Sequence, residues 1–192
     1  MDGDGGASAP PFAVIIGAVE RRTVWLVGMM GSGKTTVGRA LARRLALPFV
    51  DTDAEIERDA GMSVARIFSV EGEAGFRRRE RDAIGAVAGR AAVVSLGGGA
   101  IAQPGSADRL AATGTIVYLR ARPRTLLGRL GAAESRPLLR GLDETERLAK
   151  IESLLAERSA QYERAEVVID TDGSTPAALA AMLAGRLAGG RG

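Results

Sequence analysis

The feature that most narrows the possible folds is the stretch GMMGSGKTT, Gly28 to Thr36, set between an apolar run and a helical pattern. Before it, TVWLV (Thr23 to Val27) reads as a buried strand. After it, Lys34 to Leu45 puts Val37, Leu41 and Leu45 on one helical face. The string fits G-x-x-x-x-G-K-[ST], in which glycines let the backbone turn tightly and aim successive N–H groups at phosphate oxygens. The helix that starts there adds the positive end of its dipole. Lys34 has the reach for β and γ phosphates, and the Thr35 hydroxyl is placed to coordinate a hard cation. Gly31, Ser32, Gly33, Lys34, Thr35 and Thr36 are therefore the candidate phosphate contacts. The plainer alternative is a glycine-rich turn in a chain with 26 Gly among 192 residues. Against it, the chain holds only two lysines, Lys34 and Lys150, and one of them completes the pattern.

The rest of the chain alternates short apolar runs with helical patterns. FVD (Phe49 to Asp51), AVVSL (Ala92 to Leu96), TIVYL (Thr115 to Leu119) and VVID (Val167 to Asp170) read as further strands. Helices are expected at Ala54–Ala60, at Val64–Val70 with Ser63 as N-cap, and at about Gly72–Gly89. Others lie before TIVYL, from Pro123, over Glu144–Tyr162 with Leu148, Ile151 and Leu155 in one stripe, and from Pro176. Strands separated by helices imply a parallel sheet covered on both faces. Residues 1–22 are rich in Gly, Ala and Pro and read as a loosely held extension, leaving 23–192 as one domain. Gly131 to Leu142 has no clear period and holds RPLLRG.

Absences exclude much chemistry. With no Cys and no His, disulfides, thiol nucleophiles, imidazole bases and the usual zinc sites are out. Any metal must be held by oxygen, which favours Mg²⁺. The 26 basic and 23 acidic residues nearly balance, and one Trp, two Tyr and four Phe form no basic-aromatic stretch, so no nucleic-acid partner is expected. The early apolar run Phe12 to Val19 is too short to span a membrane, and it follows Asp2 and Asp4 rather than a basic segment. No membrane association is expected, and a cytoplasmic location is.

A second group of motifs points to an acceptor. The second strand ends in Asp51-Thr52-Asp53, and ligands of open parallel sheets sit beyond the carboxyl ends of the strands. Asp53 reads either as a ligand to such a group or as the cap of the next helix, and the two are compatible. On a helix, Glu73, Arg77 and Glu80 share a face, so carboxylates on either side can fix the guanidinium. Arg78 would pair with Asp82 on a more solvated face, and the whole charge run also reads as plain solvated helix. Gly97-Gly98-Gly99 leaves bare backbone at the same sheet edge, for close approach of a ligand or for a tight turn alone.

Together GMMGSGKTT, DTD, the spaced GE…FRRRE, SLGGGA, RPLL at Arg136 to Leu139, and Glu157, Arg158 and Tyr162 resemble the shikimate kinases, from about Val24 to Ile169. That resemblance implies a P-loop NTPase fold of the nucleoside-monophosphate-kinase kind, with five parallel strands. It implies transfer of the γ-phosphoryl of ATP to the 3-hydroxyl of shikimate, on the way to chorismate and the aromatic amino acids. It places shikimate against Asp53, Arg77, Gly98 with Gly99, and Arg158. It places Mg²⁺ on Thr35, with Asp51 acting through water. Lys34, Asp53 and Arg136 become the catalytic group, with Arg136 in a mobile lid at about 131–142 that touches the transferring phosphate. Arg129 would stack on the adenine and Pro176 face it, because Gly173-Ser174 stand where the family often has an arginine. The stretch Leu142 to Lys150 is longer than usual. A monomer with shikimate and ATP as its partners is expected.

The chemistry agrees with what the residues offer. Two arginines suit a carboxylate, and Asp53 can take or orient the proton of a hydroxyl. Phosphoryl transfer needs alignment and charge neutralisation more than a strong base. A gluconate kinase is the nearest rival, but those resemble this chain in the phosphate loop and carry a histidine after the second aspartate. A nucleotide-responsive binder without catalysis would have no use for the acceptor set.

Overall fold

The computed structural model describes residues 22–131 and 137–189. The expected extension, apart from Arg22, and the residue Arg136 lie outside them. Strand β1 (Thr23–Val27) leads to α1 (Lys34–Leu45), β2 (Phe49–Asp51), α2 (Thr52–Ala60) and α3 (Val64–Val87). Then follow β3 (Val93–Ser95), α4 (Ser106–Thr113), β4 (Gly114–Arg120) and α5 (Pro123–Leu130). A 3-10 turn at Pro137–Leu139, α6 (Glu144–Tyr162), β5 (Val167–Asp170) and α7 (Pro176–Gly189) complete the described order.

The five strands are all parallel, in the order β2-β3-β1-β4-β5. Alternation along β1 divides the core in two. Val24 and Leu26 face Val37, Leu41 and Ala42 of α1 and Leu179 and Leu183 of α7. Trp25 and Val27 face Leu110 of α4 and Tyr162 of α6. Every residue of β1 is buried, as a central strand covered on both faces requires. Removing one of these buried side chains, as in Leu41→Ala, costs about 2–5 kcal/mol.

Local chemistry accounts for the boundaries. Ser63 caps α3, its Oγ accepting from the Arg66 N–H at 3.2 Å. The two helices expected at Val64–Val70 and Gly72–Gly89 form one run that ends at Val87 and breaks at Gly72, where φ is 68° and ψ −178°. Strand β3 is a residue shorter at each end than AVVSL, and β4 a residue longer at each end than TIVYL. Helix α2 begins at Thr52 rather than Ala54, so Asp51 occupies the N-cap and Asp53 sits within the first turn. Asp53 is therefore not the cap. Helix α6 opens with a reciprocal capping box between Asp143 and Glu146. From its first turns Arg147 donates to Gly131 O at 3.1 Å and Leu142 O at 2.8 Å, joining both ends of the aperiodic segment.

Candidate active site

The loop after β1 is shaped by the absence of side chains. Gly28 has φ 142°, and a Cβ there would lie 2.6 Å from Leu119 O and 2.9 Å from Ser32 Oγ. Gly31 and Gly33 are also at positive φ, 80° and 94°. Gly33 caps α1 without a side-chain hydrogen bond, so the first-turn N–H groups are left for an anion. Ser32 Oγ is buried with no hydrogen-bond partner among the described residues. Lys34 Nζ lies across the loop, donating to Gly28 O at 2.9 Å and Met29 O at 3.1 Å. The Thr35 hydroxyl donates to Asp51 Oδ2 at 2.8 Å, which joins the two residues singled out for a hard cation.

Two cavities flank this loop. One, of about 330 Å³, is lined by Gly31, Gly33, Thr36, Arg129, Ser174 and Pro176. Its arginine is held rigidly, with Nη1 on Thr171 Oγ1 at 2.8 Å and Nη2 on Thr171 O at 2.6 Å. The other, also of about 330 Å³, is lined by Lys34, Thr35, Asp51, Asp53, Ser95 and Gly98 among others. Gly33 and Thr36 face the first cavity while Lys34 and Thr35 face the second. The loop thus stands between an arginine-bearing hollow and a carboxylate-lined one.

Beside the second cavity, α3 delivers Arg77, 15% exposed. Its Nη1 meets Glu80 Oε2 at 2.8 Å and its Nη2 meets Glu73 Oε1 at 3.2 Å, the shared face that the spacing predicts. Glu80 is 2% exposed, and burial pushes its carboxyl above the usual range. Arg77 opposes that rise and the neighbouring Asp53 adds to it. The expected Arg78–Asp82 ion pair does not form among the described residues. Arg79 pairs with Glu71 at 2.8 Å instead.

Two of the three glycines after β3 keep room for a close neighbour. None is at positive φ, so a tight turn does not require them. A Cβ on Gly97 would lie 2.9 Å from both Asp53 Oδ1 and Glu80 Oε1. On Gly98 it would lie 3.5 Å from Gly28 O, and on Gly99 2.9 Å from Arg77 Nη2. Gly97 and Gly99 let the second strand end and the arginine helix converge, whereas the contact of Gly98 with the phosphate loop is an ordinary one. Gly98 O in turn accepts from Arg158 Nη1 at 3.2 Å and from the buried Tyr162 hydroxyl at 2.5 Å. Burial pushes that phenol up to about 12, so it remains a donor at any physiological pH.

Lys34, Thr35, Asp51, Asp53, Arg77, Gly98, Gly99 and Arg158 are thus brought to one edge of the sheet. Arg129 stands on the other side of the loop. The depth of Glu80 and the anchoring role of Tyr162 escape a one-dimensional reading. The only hint of the first was its place on the Arg77 face, and of the second its spacing from Arg158.

A parallel sheet in this order, with a phosphate loop after its central strand and a cation-bearing cavity beside it, defines a P-loop kinase of the nucleoside-monophosphate-kinase kind. A family model described as shikimate kinase matches residues 30–188. The chain is 45% identical over 168 residues to the shikimate kinase of Halorhodospira halophila (strain DSM 244 / SL1), covering 86% of this chain and 93% of that protein. It is 47% identical over 152 residues to that of Dechloromonas aromatica (strain RCB), covering 78% and 81%. The solved shikimate kinase from Acinetobacter baumannii in complex with shikimate superposes with a TM-score of 0.81 at 38% identity, covering 88% of this chain and 94% of that one. The chain belongs to the shikimate kinase family.

Proposed function

We propose that this chain transfers the γ-phosphoryl group of ATP to the 3-hydroxyl of shikimate, giving shikimate 3-phosphate and ADP on the route to chorismate. The observation that carries the reading is the Arg77 guanidinium, fixed between Glu73 and Glu80 and pressed against Gly99, one glycine from the Arg158 contact at Gly98. Two forked cations beside the carboxylate-lined cavity, next to Gly99 and Gly98, suit a small hydroxy acid: Arg77 and Arg158 take the carboxylate and Asp53 takes a hydroxyl. The hydroxyl oxygen attacks the γ phosphorus as the bond to the β-γ bridging oxygen breaks and ADP leaves. Asp53 orients or receives the hydroxyl proton.

The remaining roles follow from position. Gly31, Ser32, Gly33 and Thr36 present N–H groups to the nucleotide phosphates, and Lys34 follows the charge that develops on the transferring group. Arg129, with Pro176 and Ser174 around it, holds the adenine. Arg136 reaches the γ-phosphate from the segment 131–142, whose ends Arg147 ties together. Thr35 and Asp51 offer hard oxygens at 2.8 Å from each other, and among the described residues no group of three or more acidic side chains is arranged to hold a metal ion. Mg²⁺ fits such a pair when phosphate oxygens and water complete its shell, and there it neutralises phosphate charge. A cytoplasmic location is part of the same proposal; among the described residues no helix is long and apolar enough to cross a membrane. We take the working unit to be one chain.

The test is ADP release coupled to a dehydrogenase assay, with shikimate, quinate and gluconate offered separately. Shikimate should exceed both others in kcat/KM by at least about a hundredfold, the discrimination that a site built around specific polar contacts achieves. A gluconate rate equal to the shikimate rate would overturn the reading.

A further inference from the structure

On the face of the sheet that Trp25 occupies, α3 and α4 leave an open groove of about 420 Å³. Ile84, Gly85, Ala88 and Leu110 line it, together with Arg81 and Arg109. Its lining is not explained by the described fold. Gly85 sits inside α3, where glycine is among the poorest helix formers, yet a Cβ there would meet nothing within 4 Å. No described neighbour needs its smallness. Arg81 is exposed and makes no hydrogen bond or ion pair among the described residues. Arg109 uses Nη2 on Pro104 O and Ser106 Oγ and has donors to spare.

The chain enters the sheet at one end of this groove. Thr23 Oγ1 donates to Val87 O at 3.3 Å and Arg90 O at 2.8 Å, and Thr23 lies beside Gly114 in the sheet. Ala88 and Thr113, the chain neighbours of Val87 and Gly114, line the groove. The two arginines sit at the other end: Arg81 precedes Ala88 by two helical turns, and Arg109 precedes Thr113 by one. The sequence before Thr23 has the matching order, read backward from the entry point. Val19 to Phe12 is an apolar run, and Asp4 and Asp2 follow beyond it. The link from Val19 to Thr23 spans at most about 14 Å, which leaves the run within reach of the groove.

We propose that the segment Phe12–Val19 docks in cis into the groove between α3 and α4, over Gly85, with Asp2 and Asp4 answering Arg81 and Arg109. The bare backbone at Gly85 is then the place where a second chain segment comes close. Helix α3 also carries Arg77, so the docked segment braces the far half of the helix that presents it.

The absence of cysteine makes the test direct, because a pair can be introduced into the full chain without background. Gly85→Cys combined with Ile15→Cys or with Ile16→Cys should form an intramolecular disulfide in most molecules under mild oxidation. Gly85→Cys with Arg43→Cys, on the helix covering the opposite face, should form none. Amides of residues 12–19 should exchange at least about tenfold more slowly than in an unstructured peptide, and Gly85→Trp, which fills the groove, should abolish that protection while kcat stays unchanged. Coil-like exchange at 12–19 in the unmodified chain would overturn the proposal. So would disulfides formed only between two molecules, which would assign the groove to a second copy. Protection that survives Gly85→Trp would also overturn it by placing the segment elsewhere.

Discussion

The two ends of the site are built by opposite means. The phosphate loop is one contiguous stretch, Gly28 to Thr36, and works by keeping side chains out: a methyl at Gly28 would strike Leu119 O. The proposed acceptor end is gathered from α2, α3, the loop after β3 and α6, and works by bringing side chains in. Asp53 and Arg77 come in as close as they do because Gly97 and Gly99 carry no side chains, and Arg158 reaches the Gly98 carbonyl between them. The first end depends on local backbone geometry, the second on how four separate elements pack. Damage to the loop should therefore show in the chemical step, whereas damage to the acceptor end should show in the binding of one substrate.

The largest effect should come from Lys34→Ala. Its ammonium contacts carbonyls of its own loop, so removing it leaves the fold intact and takes one positive donor from the transferring phosphate. A loss of roughly 10²–10³ in kcat is expected, as for other such donors. Steady-state rates within a few-fold of wild type would mean that the loop does not act on the phosphate as proposed.

Next in size, Arg77→Ala should raise the shikimate KM by roughly ten- to a hundredfold, the span of a charge-assisted hydrogen bond, and leave the ATP KM nearly unchanged. Equal changes in both would erase the contrast between the two ends and return Arg77 to a solvated helix face. A smaller displacement comes from Gly99→Ala, whose methyl would lie 2.9 Å from Arg77 Nη2. A guanidinium can swing aside where a backbone carbonyl cannot, so a rise of about threefold to tenfold in the shikimate KM alone is expected. If the ATP KM rises as well, the glycines serve the phosphate loop rather than the arginine.

The same contrast explains what could be read in advance. The phosphate loop and its strand and helix were legible because spacing along one short segment sets their geometry. The change of direction near Gly72 was legible only as a gap between two helices, one of them starting at Gly72, whereas the chain keeps one run and bends at that glycine, which tolerates the positive φ found there. The glycine triad was legible as a site but ambiguous in purpose, since only three-dimensional neighbours separate close approach from a tight turn. The Arg78–Asp82 pair is absent because both residues are exposed, where holding two long side chains together gains little over water. The Arg79–Glu71 pair was not legible for another reason: the non-helical Gly72 brings Glu71 close to Gly75, which has no Cβ to obstruct it, so the pair spans eight residues rather than three or four. Glu80 was legible as a partner of Arg77, while its burial depends on Gly97 and α2, which are distant in sequence.

That burial gives the smallest and most discriminating test, Glu80→Gln. The Glu80 carboxyl is held above its ordinary value mainly by burial, with Asp53 across Gly97 adding to the rise and Arg77 opposing it. Its Oε1 is buried without a hydrogen-bond partner among the described residues. A carboxyl whose folded value is raised keeps its proton longer in the folded state than in the unfolded one. Below about pH 4.3 both states are protonated and nothing is lost. As pH climbs from there toward the folded value, the unfolded chain releases its proton first, and stability falls. Glutamine does not titrate, so the Tm of Glu80→Gln relative to wild type should improve as pH is raised from about 4 to 7. The variant keeps a polar neighbour for Arg77 but loses the ion pair, so the shikimate KM should rise only a few-fold while the ATP KM holds. Paired melting curves across that pH range decide the matter. If the wild type instead gains on the variant as pH rises, the Arg77 pair outweighs burial, and the acceptor end is held together by charge rather than strained by it.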